Sequence, residues 1–242
     1  MIKNIKSFLL FPLVVIFSKS LKGKDTNFTK FVTYDKRELN NQVLLDIDCE
    51  NYEVISDVMK FFDKSSPIYD KTKINFKIDV NKIAEDYKKF TFDFLDIVHI
   101  YHSSSMLSAR IPNENIFVEF KVSNYKLDDK QLNTLLRYML FTYASKKVDR
   151  LFLDIENFDE KSKESLEYIS NLINNSKVLK FSRSGGLYVL TCEDKKSMYD
   201  IVWSKGDDIE LTEFSTVYDK FGKELKEDIK ISTSPIIAIH KT

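Results

Sequence analysis

Near residue 176 the pattern of the chain changes, and this change constrains the fold more than any other feature. Before it, apolar runs of strand length largely alternate with amphipathic helices; after it, short strand patterns follow one another without helices. The first pattern builds right-handed strand–helix–strand units on a parallel sheet, and the second builds antiparallel layers. The expected class is α/β: an incomplete, about five-stranded parallel α/β barrel-like layer followed by a C-terminal antiparallel β-sandwich.

In the first part, strands are expected over Gln42–Asp48, Lys73–Asp79, Leu95–Tyr101, Asn115–Phe120 and Asp149–Ile155. Lys73–Asp79 alternates Ile74, Phe76 and Ile78 with polar residues, the period of a strand. Helices are expected over Tyr52–Lys64, with Asn51 as its cap, over Asn81–Phe90 and over Lys161–Asn174. The strongest helix starts at Asp128 or Asp129, and its Leu132, Leu135, Leu136, Met139, Leu140 and Tyr143 keep helical spacing. Beyond residue 176 the strand patterns are Val178–Phe181, Leu187–Cys192, Tyr199–Trp203, Ile209–Leu211, Thr216–Asp219, Ile229–Ser232 and Ile236–Ile239. Gly185-Gly186, Gly206-Asp207 and Phe221-Gly222 supply turns between several of them. The expected organisation is a signal peptide or anchor over 1–20, a linker over 21–40, the barrel-like domain over 41–176 and the sandwich over 177–242.

Basic and acidic residues balance at 37 each, without the positive excess of a nucleic-acid binder, so no nucleic-acid partner is expected. With five glycines and no glycine-rich phosphate motif, nucleotide enzymes are set aside and no cofactor is expected. The first twenty residues have the layout of an export signal: Lys3 and Lys6, an apolar run from Phe8 to Phe17, then Ser18-Lys19-Ser20. That run is shorter than the roughly 20 residues a spanning helix needs. The expectation is a secreted or envelope (periplasmic) protein that meets a membrane only through this segment. Cys49 and Cys192 lie far apart in the chain and are expected as two free, partly buried thiols.

Chemistry concentrates at strand ends. Leu95–Tyr101 finishes in His99 and Tyr101, with His102 next, and Asn115–Phe120 finishes in Glu119. In parallel α/β sheets functional groups gather at the carboxyl ends of strands. By strand alternation Glu119 shares a side with Phe117, Glu50 with Asp48 and Asp46, and Glu156 with Asp154. Strand-end acids also serve as helix caps, and a histidine in an apolar strand is often a core residue. His99-x-x-His102 has no obvious third ligand, so no metal is expected, and Ser103-Ser104-Ser105 lacks a nucleophile-elbow setting.

Taken in order, these features are similar to a known arrangement. Phe94-Leu95-Asp96-Ile97-Val98-His99-Ile100-Tyr101 and Asn115-Ile116-Phe117-Val118-Glu119-Phe120 resemble two late strands of retaining (β/α)8-barrel glycoside hydrolases with an appended β-sandwich. Tyr199–Gly206, Val217–Glu224 and Ser234–Ile239 resemble the closing strands of such sandwiches. The resemblance covers roughly residues 42–240, the C-terminal part of those enzymes, and the early barrel strands are missing from it. It implies Glu119 as nucleophile and Glu50 as acid/base, and strand alternation makes His99, Tyr101, Asp48 and Glu156 the expected substrate-binding residues beside them. Glu50 stands in Cys49-Glu50-Asn51 rather than the family's Asn-Glu-Pro, and Lys121 replaces the glycine after the Glu-Phe pair. Carbohydrate is the implied partner, bound by a retaining glycosidase or by a non-catalytic descendant of one. The alternative is a secreted or envelope interaction protein without sugar chemistry, and a homodimer covering an open sheet edge is expected.

Overall fold

The structure, a computed structural model, describes residues 32–33, 44–48, 73–79, 116–122, 124–204, 209–210, 216–226 and 229–240. One five-stranded sheet is parallel throughout: β1 Val32–Thr33, β2 Leu44–Asp48, β3 Lys73–Asp79, β4 Ile116–Lys121 and β5 Arg150–Phe152, in the order β1-β5-β4-β3-β2. Helix α1, Asp129–Ala144, crosses from β4 to β5, and helix α2, Glu160–Asn174, follows β5.

The chain then turns antiparallel. Strands β6 Lys177–Ser184, β7 Leu187–Glu193, β8 Met198–Ser204, β10 Thr216–Tyr218, β11 Glu224–Leu225 and β13 Ile236–Ile239 form a six-stranded sheet ordered β11-β10-β13-β8-β7-β6. Strands β9 Ile209–Glu210 and β12 Lys230–Ile231 pair separately. Gly185 and Gly186, at φ 56° and 87°, make the two-residue β6–β7 turn, a left-handed conformation that suits the twist of a hairpin.

Local chemistry explains the helix starts. The Asp128 side chain accepts from Gln131 N while Gln131 Oε1 accepts from Asp128 N, a reciprocal capping box. Asp159 caps α2 by accepting from Ser162 N and from Ser162 Oγ.

Every residue of α1 from Leu132 to Thr142 is buried because the helix lies between the two sheets. Toward the parallel sheet Tyr138 meets Phe120 at 6.2 Å between ring centroids; toward the antiparallel sheet Phe141 packs edge-on against Trp203, Tyr188 and Phe181, each at 5.4 Å. One continuous core therefore runs from Phe76, Ile116, Val118 and Leu151 through both helices to Tyr188, Ile201 and Trp203. The other face of the antiparallel sheet carries a smaller cluster of Val202, Val217, Ile236 and Ala238, where Ile231 of β12 also packs.

One finding differs from the sequence reading: Val32–Thr33, within the polar segment 21–40, forms a strand beside β5. β3 pairs directly with β4, Phe76 opposite Val118. The expected strand Leu95–Tyr101, like the two expected helices before it, lies outside the described residues.

Candidate functional site

The two faces of the parallel sheet differ in character. Phe76, Ile116, Val118, Phe120 and Leu151 face the helices and the core. Alternate positions, Asn75 and Lys77 on β3, Phe117 and Glu119 on β4, and Arg150 and Phe152 on β5, share the opposite face, with Asp46 of β2 beside them. Phe117 and Phe152 stack at 5.8 Å on this face and are buried, with the Lys73 ammonium over the Phe117 ring.

Register brings the polar groups together. Asn75 sits opposite Asp46, and Lys77 sits opposite both Asp48 and Glu119. Asn75 Nδ2 donates to Asp46 Oδ1 at 2.9 Å and to Glu119 Oε2 at 2.9 Å, so one amide links the carboxylates of the two flanking strands. Lys77 Nζ forms an ion pair with Asp46. Asn75 is fully buried, Glu119 is half-buried and Asp46 is exposed, so the cluster runs from the sheet interior to solvent. Asn75 Oδ1 is buried without a partner among the described residues, at a typical cost of about 1–3 kcal/mol. An amide kept in that position is held by its two carboxylate bonds, not by completeness of its own hydrogen bonding.

Of the residues expected in a site, Glu119 is in this cluster, two positions before the end of β4. Asp48 ends β2 and pairs in register with Lys77. Glu156 stands in the turn after β5, exposed and ion-paired with Lys163 of α2. Asp154 there accepts from Asn157 Nδ2 at 2.6 Å, a turn-stabilising bond. Glu50, His99 and Tyr101 lie outside the described residues. The large rings nearby belong to the core: Phe117 is buried against Phe152, and Trp203 stacks on Tyr188 and on Phe181 in the antiparallel layer. The residue that sequence reasoning missed is Asn75. Its signal was the polar half of the Lys73–Asp79 alternation, which marks a face but not the partners across it.

Several other polar groups among the described residues are tied into structure. Cys192 is a free thiol that burial pushes up to about 12, too high for a nucleophile at neutral pH. Tyr143, raised above the ordinary tyrosine value by burial, donates to the Ser176 carbonyl at 2.7 Å. The buried Arg137 of α1 donates to the Thr233 carbonyl and to Thr134 Oγ1. Among the described residues no three His, Cys, Asp or Glu side chains gather as a metal site, and no helix is long and apolar enough to cross a membrane.

No family model matches the chain, and no curated protein matches it. Solved structures similar to it include a family 39 glycoside hydrolase from the gut symbiont Bacteroides cellulosilyticus WH2, at 11% identity and a TM-score of 0.48, matching 78% of this chain and 54% of that one. A maltogenic amylase from S. marinus follows at 12% identity and 0.38, over 82% of this chain and 36% of that one. An Anoxybacillus α-amylase follows at 9% identity and 0.37, over 82% and 59%. The chain thus spans about half the length of the family 39 enzyme and less than two thirds of the two amylases.

Proposed function

We propose that this is an exported, glycoside-hydrolase-like protein that binds carbohydrate through the polar face of an incomplete barrel-like layer, braced by a sandwich-type C-terminal layer. The observation that carries the reading is the Asp46–Asn75–Glu119 cluster, which joins three neighbouring parallel strands near their middles and reaches solvent. Carboxylate acceptors flanked by an ammonium are groups that can hold sugar hydroxyls. The strand order supports the barrel-like reading, because it puts the first strand beside the last, as closure of a barrel does. Binding is favoured over turnover because Asp46 is tied to the Lys77 ammonium, and an ion-paired carboxylate is a poor proton donor to a leaving group. Export rests on the basic start and apolar run of residues 1–20.

The test is a glycan-binding and hydrolysis screen of the purified chain beside Glu119→Gln. Binding without turnover, weakened about tenfold or more in the variant, is the expected result. Turnover abolished in Glu119→Gln would make the protein a glycosidase instead. Absence of binding across the panel would favour an interaction protein with no sugar chemistry.

A further inference from the structure

We infer that Asp46 is a carboxylate that works with Glu119, and that Asn75 is the positioning residue that holds the two together. The inference rests on the carbohydrate reading above and specifies its site. Its basis is the crossed register of three strands. Asn75 reaches straight across to Asp46 and forward along the sheet to Glu119, using both hydrogens of one nitrogen. Both acceptors thereby stand 2.9 Å from one nitrogen. Asn75 is fully buried while Asp46 and Glu119 reach outward, so the fixed point lies beneath the pair and the groups that can meet a ligand lie above it. Among the described residues Oδ1 has no partner, and the two carboxylates are the groups that orient the amide. Lys77 holds Asp46 from the other side, and a neighbouring ammonium reduces the repulsion between two carboxylates held this close.

The experiment uses the full chain with Asn75→Leu, Asn75→Asp, Glu119→Gln and the Asn75→Leu/Glu119→Gln double variant, read by urea unfolding and by glycan binding. The stability effects of Asn75→Leu and Glu119→Gln are expected to be non-additive, because the first removes the donor of the bond whose charged acceptor the second makes neutral. Folded Asn75→Leu is expected to bind glycan about tenfold more weakly or worse. Asn75→Asp places a third carboxyl between two others, which raises the pH at which it holds a proton. Its binding should fall at neutral pH and recover in acid, where a protonated carboxyl donates again. A purely packing role would show no such reversal, and this near-isosteric variant keeps the test alive should Asn75→Leu fail to fold. Additive stability effects, or unchanged binding by folded Asn75→Leu, would overturn the inference while leaving the carbohydrate reading standing. If the wild type binds no glycan, the carbohydrate reading falls and the stability cycle decides alone: coupling upholds Asn75 as organiser of the pair, and additivity removes it.

Discussion

In the antiparallel sheet, Tyr188 and Trp203 lie ring on ring at 5.6 Å beneath α1, with Phe181 and Phe141 closing around them. In the parallel sheet, the face turned away from the helices carries Asp46, Asn75, Lys77 and Glu119 in hydrogen-bonded contact. The antiparallel layer thus puts its large aromatic groups into the shared core. The parallel layer uses one face for that core and keeps charge on the other. Burying apolar area stabilises a fold whatever its purpose, whereas the buried Asn75 spends both its bonds on carboxylates that reach outward. Stability should therefore be most sensitive in the C-terminal layer, and ligand binding in the parallel one.

Trp203→Ala tests the first half of that contrast and carries the largest expected effect. The side chain is fully buried, so its loss combines transfer and cavity costs of about 3–5 kcal/mol. Because α1 joins both layers in one core, the loss should appear as a single cooperative unfolding transition at lower urea. Two separated transitions, with the parallel layer unfolding at its former concentration, would show that the layers are independent domains.

This joint core also shows where the sequence was legible. The Asp128 cap, the Gly185-Gly186 hairpin and strand Ile236–Ile239 follow from local chemistry and appear where local chemistry puts them. The apolar stripe of α1 was visible too, but the burial of Arg137, Thr134 and Thr142 was not, because polar residues reveal a second covering sheet only once that sheet is in place. Val32–Thr33 is a strand through its partner β5, with little in its own sequence to announce it. In the site, Glu119 was recognisable as an acid near the end of an apolar strand. The Asn75 link was not, since it depends on which strands are neighbours and in what register. His99 and Tyr101, expected to orient Glu119, lie outside the described residues.

Gly222→Ala probes the seam between the layers, with a smaller effect. Gly222 has φ 77°, and a methyl group there would stand 2.8 Å from Tyr168 Cε2 of α2. Left-handed strain and the displaced ring together should cost about 1–3 kcal/mol. Gly185→Ala is the control, since φ 56° imposes strain there but the added methyl meets nothing within 4 Å. Urea unfolding should rank Gly222→Ala below Gly185→Ala; equal losses would mean that the seam at Tyr168 yields without cost.

The smallest expected effect is electrostatic and lies at the same seam. Lys220, in the turn between β10 and β11, donates to Asp129 Oδ1 at 2.8 Å and to Asn133 Oδ1 at 2.6 Å, both on α1. The partners respond differently because their surroundings differ: the Lys220 side chain is 4% exposed and that of Asp129 60%. The hydrogen bond from Lys220 holds the Asp129 carboxyl below its ordinary range, while burial pulls the Lys220 ammonium below its own. A carboxyl with a lowered folded pKa contributes stability above its unfolded value of about 3.9, and loses it as pH falls through the folded value. Asp129→Asn keeps an acceptor for Lys220 but removes the charge. It is expected to be slightly less stable than the wild type near pH 7, with the difference closing in acid as Asp129 takes up its proton. The measurement is the urea midpoint of both proteins across that range. A difference unchanged by acid would mean that Lys220 holds the seam through hydrogen-bond geometry alone, and that the charge of Asp129 adds nothing to the joining of the two layers.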